Sequence, residues 1–142
     1  MSNELRAGVS ITEISPKQGV SLSGYPHHPR YNKGIHDPLY ASCLYLEDGS
    51  VRLAIVCMDL IMYSKKHVRT VREQVASKTE IPAEHIMICC SHSHSAPRAS
   101  SSFTMDALER GSESDSEFAH EINTKLIDLI VEAAGSTFPA RL

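Results

Sequence analysis

No stretch of this 142-residue sequence approaches the run of about 18 apolar residues that a membrane-crossing helix requires, so no transmembrane segment is expected. The opening residues Met1 to Arg6 carry no apolar run either, so no secretory leader is expected and the expected location is cytoplasmic. Cysteine is sparse. Cys43, Cys57, Cys89 and Cys90 all lie within apolar runs, and no two stand in a C-x-x-C spacing. That excludes a zinc ribbon and disfavours a disulfide framework, which leaves small buried thiols in a reducing compartment. A basic excess is also missing. Fourteen Lys and Arg against 17 Asp and Glu give a formal net charge of -3, so no nucleic-acid partner is expected. Aromatic residues are only 6%, and no elongated apolar groove for a lipid chain is legible.

What remains is an ordinary globular composition, 42% hydrophobic and 22% charged, and a length that suits one domain over residues 1–142. Leu5 to Ile14 alternates apolar and polar residues at period two and reads as a half-buried strand closed by Ser15-Pro16. Lys17 to Lys33 is a long Gly, Pro and His-containing loop, and such loops tend to carry function. Leu39 to Leu46 and Val51 to Met58 flank Asp48-Gly49, a strong hairpin signal. The second of these strands is almost wholly apolar, as a strand buried on both faces reads. Ser64 to Lys78 is helical, with Val68, Val71 and Val75 on one stripe, and Ile86 to Cys90 is a short apolar strand. Residues 51–90 therefore spell a βαβ unit with a parallel strand pair. A Ser-rich loop from Ser95 to Asp115, with a turn of helix at Met105 to Arg110, leads to a second helix. Ser114-x-x-Glu117 is its capping box, and Phe118, Ile122, Leu126, Leu129, Ile130 and Ala133 are its buried stripe, with Gly135 at its end. The fold class is α/β, a mixed β-sheet with a βαβ unit and flanking helices. A further strand is expected after Gly135, yet the chain reaches Leu142 without a recognisable one. The unpaired sheet edge this would leave predicts a homo-oligomer or pairing with a missing segment.

The chemistry-bearing residues gather after the two strands of the βαβ unit. His92 and His94, in Ser91-His92-Ser93-His94-Ser95-Ala96-Pro97, follow the second strand, and Asp59 follows the first. Ligands in open α/β sheets bind outside the carboxyl ends of strands. Two imidazoles and a carboxylate at one such edge suit a zinc ion or general acid–base work. In extended chain, residues i and i+2 point to the same side about 6–7 Å apart, so both rings would face one pocket. Two unbound histidines in a serine-rich loop fit the spacing equally well. His36-Asp37 is a second candidate, against a simple turn before Pro38. His27-His28 reads as exposed loop, His67 and His85 as solvent-side or capping residues, and His120 as surface. Ser100 to Ser102 lack a G-x-S-x-G elbow and read as loop rather than nucleophile.

Four pieces stand in one order: Ala7-Gly8-Val9-Ser10-Ile11-Thr12-Glu13-Ile14-Ser15-Pro16, Leu22-Ser23-Gly24-Tyr25, Gly34-Ile35-His36-Asp37-Pro38-Leu39-Tyr40-Ala41, and the His92–His94 segment. Together with Asp59-Leu60, they resemble the N-terminal part of the neutral/alkaline, non-lysosomal ceramidase family, where the last piece usually reads T-H-T-H-S-G-P. The resemblance implies a zinc-dependent amidohydrolase that cleaves an N-acyl amide such as N-acylsphingosine to sphingosine and fatty acid. His92 would then be a Zn²⁺ ligand and His94 a catalytic neighbour. Asp59, His36 and Asp37, drawn from their positions in the chain, stand beside them as candidate supporting groups or additional ligands. Two departures accompany it. The family's glycine is Ala96 here, and the family's remaining ligands, a second His, a Glu and a Tyr, have no counterpart in residues 98–142. The chain therefore resembles one portion of a larger catalytic domain. The alternative is a non-catalytic metal- or partner-binding α/β domain.

Overall fold

The structure is a computed structural model that describes residues 4–25, 27–97, 99 and 113–141, with the side chains of 113–116 outside the description. The strands are β1 (Arg6–Glu13), β2 (Tyr40–Glu47), β3 (Arg52–Met58), β4 (Ile86–Cys90) and β5 (Thr137–Pro139), and the helices are α1 (Lys65–Lys78) and α2 (Glu113–Gly135). One sheet runs in the order β4-β3-β2-β1-β5. β3 and β4 are parallel, and the other neighbours are antiparallel. The fold is thus α/β with a mixed sheet and a βαβ unit, as the pattern of apolar runs predicts.

The β2–β3 hairpin is closed by Asp48. Its carboxylate accepts from the backbone of Val51 at 2.8 Å and of Ser50 at 2.9 Å, while Gly49 takes φ +84, where a side chain would be strained. The Val51 amide is the largest of the influences that hold the Asp48 carboxyl down at about 2. Ser64 caps α1 by accepting from the amide of His67.

Both helices cover one face of the sheet. The whole predicted stripe of α2, from Phe118 to Ala133, is buried, and Val71 and Val75 of α1 join it with Val56, Met58, Ile86 and Ala41 in one core. Gly8 lets α2 sit close on β1, because a β-carbon there would fall 1.8 Å from the carbonyl oxygen of Ala133. Ser10 adds a hydrogen bond to Leu129 O at 2.7 Å. A polar link joins the two helices. The Tyr63 hydroxyl donates to Asn123 Oδ1, and Asn123 Nδ2 reaches His67 Nδ1 at 3.0 Å, with the His67 ring stacked on Tyr63. His67 is thus a half-buried link between the helices rather than the solvent-side or capping side chain its sequence position suggests.

Three expectations are corrected. β3 is not buried on both faces: Val56 and Met58 face the helices, whereas Cys57 is exposed and Ile55 half-buried. No described layer covers the opposite sheet face, so alternation replaces double burial. The cysteines accordingly differ, since only Cys43 is fully buried. The strand expected after α2 is present as β5, three residues long and paired to Arg6–Gly8 of β1. Too short for a periodic signature, it covers only the Arg6–Gly8 end of the β1 edge. Helix α2 begins at Glu113, ahead of the Ser114 cap. The turn placed at 105–110 and Ser100 to Ser102 lie outside the described residues.

Candidate functional site

The parallel pairing of β3 with β4 sets Met58 opposite Cys90, so the chain leaves both strands at the same carboxyl edge. Asp59 and Ser91 are the next residues, and they meet. Ser91 Oγ donates to Asp59 Oδ1 at 3.2 Å, and Asp59 Oδ2 accepts from the Tyr40 amide at 3.0 Å. The carboxylate thus ties together the ends of β2, β3 and β4. Its partner Ser91 is the residue that precedes His92.

His92 has φ +62, the only non-glycine positive value among the described residues. A histidine in this left-handed region is uncommon, and such strain clusters at functional sites. The turn brings the ring back toward the β3–α1 segment, where Nδ1 lies 2.9 Å from the carbonyl oxygen of Ile61. A carbonyl only accepts, so Nδ1 carries the proton and Nε2 of the neutral ring keeps its lone pair. In that tautomer histidine can bind a metal through Nε2. His92 is exposed, so Nε2 is reachable.

His94 is held by a different element. The loop between β1 and β2 returns to the site through the bridge of Leu22 with Pro97 and the Ser23 amide on Ala96 O at 2.9 Å. Tyr25 meets the His94 ring edge-on at 5.7 Å between centroids, and Gly24, at φ +100, packs beneath it. Arg30 lies over the Tyr25 ring at 4.4 Å and donates to the His94 carbonyl at 2.8 Å. The two histidine rings finish 5.1 Å apart at 70°. They converge as the spacing predicts, but through the left-handed turn at His92 and not through an extended H-x-H. Ala96 is fully buried without a positive φ, so the departure from glycine is accommodated in the core.

The other candidates do not join this pair. His36 and Asp37 contact each other at 2.8 Å and are almost fully exposed, with no described link to His92. His85 lies 2.9 Å from Arg52 O at the opposite end of β4 and, like His120, is exposed. Among the described residues no group of three or more His, Cys, Asp or Glu side chains stands close enough to hold a metal ion. Sequence reasoning missed Tyr25 and Arg30 as supports of His94. Tyr25 stands in the Leu22–Tyr25 piece of the resemblance without an assigned role, and Arg30 is marked only by its place in a long loop.

The fold defines an α/β chain whose paired histidines close the carboxyl edge of a mixed five-stranded sheet. No family model matches the sequence, and no curated protein does. Among solved structures, the neutral ceramidase from Pseudomonas aeruginosa is similar over 98% of this chain, with TM-score 0.75 and 21% identity. A ceramidase complexed with C2 is similar over 96% of it, with TM-score 0.71 and 21% identity. The match takes in 23% and 22% of those proteins' own lengths, so this chain spans about a quarter of either. The likeness is one of fold. No described helix is long and apolar enough to cross a membrane.

Proposed function

We propose that this chain is the N-terminal portion of a zinc-dependent, ceramidase-like amidohydrolase acting on an N-acyl amide such as N-acylsphingosine. The carrying observation is the exposed His92, whose Nδ1–H is committed to Ile61 O so that the lone pair of Nε2 is left for a metal. The fold likeness to two ceramidases supports the same reading. A catalytic zinc usually takes three protein ligands, and the described residues supply no such set. His92 fits as one ligand, and the others must come from outside these residues. A bound zinc would polarise the amide carbonyl and acidify a water. In this reading His94, whose ring lies 5.1 Å from that of His92 between centroids, would exchange a proton with the substrate.

Zinc titration of the chain, followed by the ring NMR signals of its eight histidines, tests the metal assignment. We expect the His92 signal to shift at the lowest zinc concentration and that shift to vanish in His92→Ala. Shifts of the His27, His28 or His36 signals at the same or a lower zinc concentration would remove His92 as a ligand. A second reading, a non-catalytic metal- or partner-binding domain, is favoured by the lack of a three-residue ligand group among the described residues. Zinc-dependent hydrolysis of N-acylsphingosine by this chain alone would overturn it.

A further inference from the structure

The histidine site leaves the opposite face of the sheet unused, and two free thiols lie there side by side. In the parallel pairing of β3 and β4, Cys57 is the direct partner of Cys89. Paired residues of adjacent strands project to the same face. Both Cys57 neighbours, Val56 and Met58, are buried against the helices, and Ile88 and Cys90, on either side of Cys89, pack against that same core. Alternation therefore sends Cys57 and Cys89 together to the far face. Cys57 is exposed there and Cys89 half-buried. Adjacent strands lie about 4.8 Å apart, within the Cα separation of about 4.4–6.8 Å that a disulfide spans.

We propose that Cys57 and Cys89 form a dithiol modification site that closes to a cross-strand disulfide by exchange with an oxidised low-molecular-weight disulfide such as oxidised glutathione. The exposed Cys57 thiolate attacks one sulfur of that disulfide, forms a mixed disulfide and releases one glutathione thiolate. The Cys89 thiolate then attacks the Cys57 sulfur, forms the intramolecular bond and releases the second. Two protein thiols are oxidised, one glutathione disulfide is reduced to two thiols, and the two protons pass to the leaving thiolates.

The other two cysteines are set apart from this chemistry. Burial pushes the Cys43 thiol up to about 12 and the Cys90 thiol up to about 11, so neither is a ready thiolate near neutrality. Cys90 follows Cys89 directly but packs toward the helices. The pair also lies on strands whose carboxyl ends carry Asp59 and Ser91. Closing the bond would thus restrain the two strands that bear the histidine site.

The test is oxidation of the folded chain with excess oxidised glutathione, alkylation of remaining thiols, trypsin digestion and mass spectrometry without reduction. We expect the peptide Leu53 to Lys65 joined to the peptide Thr79 to Arg98, with the product lighter by two hydrogens and monomeric on a non-reducing gel. The link should survive in Cys90→Ser and disappear in Cys57→Ser and in Cys89→Ser. Circular dichroism of the variants checks that each remains folded, and the exposed Cys57 is the mildest of the three changes. A link that persists in Cys89→Ser, a bond confined to the peptide holding Cys89 and Cys90, only glutathione adducts, or only disulfide-linked dimers would each overturn the proposal.

Discussion

The imidazole of His94 rests on the α-carbon of Gly24, so closely that a β-carbon there would lie 2.7 Å from both Cβ and Cγ of the histidine. Two constraints meet at this glycine, since its φ of +100 also disfavours a side chain. Gly24→Ala must therefore either move His94 or open the loop. We expect a loss of about 1–3 kcal/mol in urea denaturation, together with a displaced His94 ring signal and a nearly unchanged His36 signal.

His92 stores backbone strain that can be measured separately from its ring. His92→Ala and His92→Gly both lose the bond to Ile61 O, but only alanine keeps a β-carbon at φ +62. The glycine variant should be the more stable of the two by about 1 kcal/mol. Equal stabilities in thermal unfolding would mean that residue 92 relaxes out of the left-handed region.

Close approach at Gly8 is a matter of space alone. The 1.8 Å that a β-carbon would leave to Ala133 O admits no side-chain adjustment, because the obstacle is backbone. Gly8→Ala should force α2 away from β1, at a cost of at least about 2–3 kcal/mol. Loss of the Ser10–Leu129 hydrogen bond, followed by amide exchange along α2, would accompany it.

The link between the helices predicts a pH dependence. Burial is the main cause that lowers the affinity of His67 for a proton; the side-chain contact with Asn123 opposes it, and the nearby charges of Lys66 and His120 add to the lowering. The unfolded chain takes up this proton near the ordinary 6.5 and the folded chain at a lower pH. Between those values the unfolded state binds more protons, so stability rises with pH there. The contribution is complete above 6.5 and is lost as pH falls through the folded value. Urea midpoints between about pH 7.5 and 5 should fall more steeply for the wild type than for His67→Phe, which keeps a ring against Tyr63 but does not titrate. Parallel profiles would remove His67 as the sensor.

Asp59 supports the site through two hydrogen bonds, from the Tyr40 amide and the Ser91 hydroxyl. Asp59→Ala should cost about 1–3 kcal/mol and broaden the His92 signal, whereas Asp37→Ala, at an exposed position, should leave both nearly unchanged.

The sequence alone determined the elements with strong periodicity. The α2 stripe, the Asp48-Gly49 hairpin and the βαβ unit all rest on local rules, apolar spacing and turn chemistry, that need no distant partner. The same rules brought Asp59 and the His92–His94 pair to one edge, because parallel strands deliver their following residues to the same side. Tertiary structure decided what depends on contacts between remote segments. The three-residue β5 forms only because β1 offers it an edge. Tyr25 and Arg30 reach His94 only because the loop after β1 folds back across the sheet. The exposure of Cys57 depends on which face the helices cover, which composition does not encode. The left-handed turn at His92 is held by a carbonyl 31 residues away, so the geometry that gives the motif its free Nε2 is absent from the motif itself.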